Sequence, residues 1–170
     1  MDSIDTVRGI MEKNILEDIL PLLIGKKCCR VRVGASKSLS MGFGEKIYHN
    51  NNKLEDAYYG EWEIGTYYCA WRVIKGDKIM CGASDPTESI EELNRDINRI
   101  KFGSIVSIAK LTSFDVRVEF DNEIVVDFLP TISDQDELFH IFCPDNLYIE
   151  LSFEGKWLIG KSNEGAGVKS

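Results

Sequence analysis

Helical and strand-like spacings of apolar residues alternate along this chain, and the alternation returns 77 positions later. Leu16, Leu20 and Leu23 have helical spacing, whereas Cys29, Val31, Leu39, Met41 and Phe43 have the two-residue spacing of strands. The same order recurs in Leu93, Ile97, Ile100, Val106, Ile108, Val116, Val118 and Phe120. The pattern predicts two related helix–hairpin units, about residues 4–83 and 85–158, within one domain over 1–160 followed by a disordered tail at 161–170. The expected fold class is α+β, built mainly of antiparallel β-sheet.

Local signals sharpen the elements. Ile4, Val7, Met11, Leu16, Ile19 and Leu20 share one face and Pro21 follows them, so a helix is expected over 4–20. From Lys26 to Val33, the set Cys29, Val31, Val33 alternates with Cys28, Arg30, Arg32, which predicts a strand with the first set inward. The Gly34-Ala35-Ser36 turn then leads back through Leu39, Met41 and Phe43. Residues 44–60 show neither period and read as a long loop, a kind of segment that more often carries function than merely connects. A tight hairpin is expected across Gly76-Asp77, and a helix start at Asp85-Pro86-Thr87-Glu88. Around Asp121-Asn122-Glu123 a three-residue turn keeps Val116, Val118 and Phe120 beside Phe128, Val126 and Ile124 and sets Arg117 opposite Asp127; a two-residue turn would scramble both faces. Pro144-Asp145-Asn146 closes a last predicted hairpin.

With 170 residues, 44% apolar and 28% charged, the composition is that of a globular chain. No apolar run reaches the roughly eighteen residues that span a bilayer, and the acids near the N-terminus are unlike a secretory signal, so a cytoplasmic, bacterial protein is expected. The net charge of −8 is unevenly placed: residues 1–43 carry 7 basic and 5 acidic groups, and the rest carry 13 and 23. This balance disfavours nucleic acid and suits a basic partner. The five cysteines include no C-x-x-C pair, and Cys28 and Cys29 are neighbours on a predicted strand, so they read as small buried hydrophobes in a reducing compartment.

His49 and His140 are the available imidazole bases. His140 falls in a predicted strand among Phe139, Ile141, Phe142 and Cys143, the setting of a structural histidine, while Asp134, Asp136 and Glu137 read as a turn or helix cap. No catalytic residue, metal ligand or cofactor is assigned. Two competing readings remain: a small hydrolase or metal-dependent enzyme using His140 and nearby acids, and a regulatory protein holding a small ligand between the halves. The segment that rises above background supplies Tyr48, Glu55, Asp56, Tyr58, Tyr59, Glu61 and Trp62 as candidate partner-binding residues. Aromatic anchors give affinity and acids steer a basic partner; the alternative is that these rings fold back to cover the sheet.

Gly60-Glu61-Trp62 through Cys69-Ala70-Trp71-Arg72, then Cys81-Gly82-Ala83-Ser84-Asp85 and the repeated apolar strands, resemble the small acidic immunity proteins of bacteria. Those neutralise a toxin, for instance one of contact-dependent growth inhibition. The resemblance implies a non-catalytic protein that binds and blocks a cognate toxin, expected to be a basic nuclease, and involves no nucleic acid or membrane. It assigns neither functional positions nor an oligomeric state.

Overall fold

The computed structural model describes residues 17–67, 69–133, 137–152 and 154–161. A short helix α1 over residues 17–23 precedes β1 (Cys28–Val33), β2 (Leu39–Tyr48), β3 (Tyr58–Gly65), β4 (Cys69–Lys75) and β5 (Lys78–Gly82). Helix α2 (Ile90–Ile97) then leads into β6 (Ile105–Lys110), β7 (Val116–Phe120), β8 (Ile124–Pro130), β9 (Glu137–Phe142), β10 (Leu147–Ser152) and β11 (Trp157–Lys161). The strands form two antiparallel sheets, one of six in the order β1-β2-β3-β9-β10-β11 and one of five in the order β5-β4-β8-β7-β6. Alternate side chains from each sheet meet in one hydrophobic cluster. Phe43 of β2 stacks on Phe120 of β7 with centroids 6.0 Å apart, and Phe128 of β8 meets Phe139 of β9 edge-on at 5.1 Å.

The two leading hairpins have one register. Cys28 lies opposite Phe43, Val31 opposite Met41 and Val33 opposite Leu39; in β6–β7, Ile105 lies opposite Phe120, Ile108 opposite Val118 and Lys110 opposite Val116, each 77 positions on. Even the irregularity recurs, between Cys28 and Arg30 and between Ile105 and Ser107. The sheets touch where Lys27 bridges Ser104, again 77 positions apart. Beside that bridge Cys28 N donates to Gly103 O (3.1 Å) and Ile105 N donates to Lys26 O (3.0 Å), reciprocal bonds that set the hairpins about a local twofold axis. Each sheet is then completed from the other half of the chain: β4–β5 joins β8, and β9–β10 joins β3.

The bulge after Cys28 changes the inward set, because an extra residue reverses the alternation that follows it. Cys28 and Val31 pack on the core, whereas the simple alternation places Cys29 there. In the second hairpin Ile105 is fully buried and Val106 is exposed. A further irregularity between Phe43 and Lys46, where Gly44 has φ +80°, explains why residues 44–60 read as loop. β2 continues to Tyr48 and β3 starts at Tyr58, so the connection covers only 49–57.

Other boundaries shift for local reasons. The described helix α1 runs past Pro21 to the fully buried Leu23; residues 4–16 of the expected helix lie outside the described residues. Asp85 accepts from Gly82 N, and α2 begins later, with Ser89 Oγ accepting from Glu92 N. Asn94 Oδ1 accepts from Val33 N and Asn98 Nδ2 donates to Val31 O, so two amides one helical turn apart cover the free edge of β1. The three-residue turn is as expected: Val116 faces Phe128, Arg117 faces Asp127, and Glu123 takes φ +68°. The turns at Gly76-Asp77 and Pro144–Asn146 also fall where expected. Lys161, expected to begin the disordered tail, pairs with Leu147 at the end of β11; residues 162–170 lie outside the described residues.

Candidate functional site

On β3, Trp62 and Ile64 point into the core, so Tyr59, Glu61 and Glu63 alternate onto the outer face of the six-stranded sheet. The same alternation brings Arg30 and Arg32 of β1 to that face, where each needs an anion. Arg30 makes a forked contact with Glu63, Nε to Oε1 at 3.1 Å and a terminal nitrogen to Oε2 at 2.6 Å, and donates also to Asp56 (2.8 Å) and Ser40 Oγ (2.7 Å). Arg32 Nε donates to Asp56 at 2.7 Å, and its terminal nitrogens reach Asp56 and Glu55. Glu63 Oε1 also accepts from Gly60 N at 2.6 Å. Hydrogen bonds from Arg32 outweigh the effect of burial and, with those from Arg30, hold the Asp56 carboxyl below the usual carboxylate range.

Beside this network lies a cleft of about 650 Å³. Tyr59, Ile47, Phe142, His140, Arg30 and Glu63 line it together with the Pro144–Asn146 turn. Glycine makes room for neighbouring side chains here: Gly65 lies opposite His140, whose imidazole Nε2 would be 2.6 Å from a Cβ at that position. At Gly42 a Cβ would come within 2.8 Å of Glu63 Oε1. Glycine inside a strand thus marks close approach of neighbours. Rings pack beside the lining residues: His49 stacks on Tyr59 (5.9 Å), and Tyr67, His140 and Phe142 follow one another in tilted contacts at 5.1 and 4.5 Å.

The candidates taken from sequence do not form one patch. Tyr59 and Glu61 line the cleft. Glu55 and Asp56 sit on the 49–57 connection and are bound to arginines, while Glu61 accepts from Lys26 Nζ at 2.7 Å, so these acids are matched within the chain. Tyr48 and Tyr58 pack on each other at 5.4 Å; Tyr48 is exposed, whereas Tyr58 donates to Cys29 O and lies under Lys46. Trp62 is 4% exposed and belongs to the core, as strand alternation next to Ile64 requires. The residues missed were Arg30, Glu63, Gly65 and Phe142. Their signal was present: two arginines on the polar side of a strand call for acids, and glycines inside strands call for a neighbour lying across them.

His140 stands between Tyr67 and Phe142 on the outer face, and Asp134 and Asp136 lie outside the described residues. Burial pushes the thiols of Cys28, Cys81 and Cys143 up to about 12, which keeps them protonated and poor nucleophiles at neutral pH. Among the described residues no group of three or more His, Cys, Asp or Glu is arranged to hold a metal ion, and no helix is long and apolar enough to cross a membrane. Compared with known proteins, the chain matches no family model, no curated sequence and no solved structure.

Proposed function

We propose that this chain is a non-catalytic protein-binding module that captures its partner on the outer face of the six-stranded sheet, with Tyr59 and Phe142 as anchors. The observation that carries this reading is the pairing of exposed rings with a fixed floor. Tyr59 is 43% and Phe142 39% exposed, and both line a cleft whose arginine and acid, Arg30 and Glu63, are already bound to each other. Such a surface loses little side-chain freedom on binding, and aromatic anchors around a cleft are the usual centres of binding energy. The partner we assign is a cognate basic toxin, of nuclease type, and the net charge of −8 supports that sign. Because Glu55, Asp56 and Glu61 are matched by Arg32, Arg30 and Lys26, the attraction comes from the wider acidic excess and not from that connection alone.

We also infer that the two halves descend from a duplicated helix–hairpin unit whose following hairpins exchanged sheets. The common register at an offset of 77, bulge included, supports it.

A cognate toxin, sought among the genes neighbouring this one, supplies the test. An equimolar amount of the folded chain should abolish its nuclease activity, and Tyr59→Ala combined with Phe142→Ala should weaken calorimetric affinity by about 100-fold, or about 2.7 kcal/mol, with unchanged circular dichroism. A cognate toxin that stays fully active beside the intact chain would overturn the proposal.

A further inference from the structure

The connection over residues 49–57 is fastened to the outer face without burying any of its side chains. Its neck is closed: Tyr48 lies opposite Tyr58, His49 N donates to Ala57 O at 3.3 Å, and Tyr58 Oη donates to Cys29 O at 3.2 Å. Its tip turns on itself, with Leu54 N donating to Asn51 O and Lys53 N to Asn51 Oδ1. Short loops whose ends adjoin are commonly packed by their own side chains. Here none of residues 49–57 is buried, and even Leu54 is 53% exposed.

Among the described residues, the tip is bonded to the sheet through two acids. Asp56 accepts from Arg30 at 2.8 Å and from Arg32 Nε at 2.7 Å, and Glu55 accepts from Arg32. An opening of about 410 Å³ is lined jointly by Lys53 and Leu54 of the tip and by Arg30 and Tyr59 of the sheet. Ion pairs that water reaches are weak fastenings, whereas the sheets are held by a continuous apolar cluster. A segment with few buried contacts opens at a free energy well below that of the whole fold. Arg30 and Tyr59 also line the cleft of about 650 Å³, so the two openings adjoin at these residues.

We propose that residues 49–57 form a strap, latched by Asp56 to Arg30 and Arg32, that swings off the outer face while both sheets stay closed and so joins the two openings into one longer trough. The opening of the strap does not depend on what binds there. Trypsin tests it on the full chain: Lys53 lies in the strap, and the cut after it, identified by fragment mass, reports the open population when opening is fast relative to cleavage. With rates normalised to a peptide substrate, this cut in the intact chain should change less than about twofold between 0 and 1 M urea, a range over which cutting through global unfolding would quicken at least about fivefold. Asp56→Asn should raise the rate about tenfold with unchanged circular dichroism, and Arg32→Gln, which leaves Asp56 on Arg30, at least about threefold. No cut after Lys53, a rate that climbs with urea as steeply as global unfolding, or an Asp56→Asn rate equal to that of the intact chain overturns the proposal. If Asp56→Asn does not fold, Arg32→Gln decides in its place, and an unchanged rate there overturns it.

Discussion

Replacing Phe43 with alanine is expected to cost about 3–5 kcal/mol, the range for emptying a fully buried aromatic site. Phe43 is 0% exposed and lies where the sheets meet: opposite Cys28 and Trp62 within its own sheet, and stacked on Phe120 of the other. Phe43 and Phe120 are themselves 77 positions apart, so the pair sits close to the local axis and its surroundings are fixed from both sides. Relaxation into the vacated space would have to move β1 or β7, both held by ladders, with β1 held also by the Lys27–Ser104 bridge at its start. Urea unfolding checks this: the midpoint should fall with little change in slope. A loss below about 1 kcal/mol would mean that the two sheets do not close on this ring.

Asp127→Asn should have the second largest effect, about 3 kcal/mol, at the low end for breaking a buried ion pair because Arg72 and Arg117 both retain access to water. The Asp127 carboxylate is itself fully buried and receives Arg117 through two nitrogens, at 2.7 and 3.0 Å, and Arg72 at 2.9 Å. Burial alone would push its pKa up; the hydrogen bonds and charges of the two arginines outweigh that and hold it below the usual range. A depressed folded-state pKa means that ionised Asp127 contributes stability above the unfolded value of about 4, and that the contribution is lost as pH falls through the lower folded value. Asp56 acts in the same direction. Stability measured against pH should therefore drop on acidification below about pH 5, and the drop should be shallower in Asp127→Asn. An unchanged acid limb in the variant would show that the triad is not the coupled group.

Much of the scaffold was legible because it is local. The alternation of Val116, Val118 and Phe120, and the turn length that keeps it in phase, gave the β7–β8 register and the Arg117–Asp127 pair directly. What alternation cannot carry is a phase change inside a strand: the bulges after Cys28 and Phe43 inverted one inward set and hid the ends of β2 and β3. The site was less legible because its parts come from distant strands. Tyr59 and Glu61 were found as a local aromatic and acidic run, but Phe142 and Arg30 reach the same cleft only through the pairings of β9 and β1 with their neighbours. The pairing of β4 with β8 and of β9 with β3, across long stretches of chain, left no local trace. Nor does the acidity of Glu55 and Asp56 reveal that Arg32 and Arg30, more than twenty positions earlier, already neutralise it.

The central claim is that a nearly symmetric scaffold carries its binding face on one sheet only. Amide hydrogen exchange of the full chain, free and saturated with the cognate toxin proposed as its partner, tests it most directly. The account predicts added protection in β3, β9 and the Pro144–Asn146 turn, with β4, β7 and β8 unchanged. Protection centred instead on the Arg72–Asp127–Arg117 face of the five-stranded sheet would contradict it.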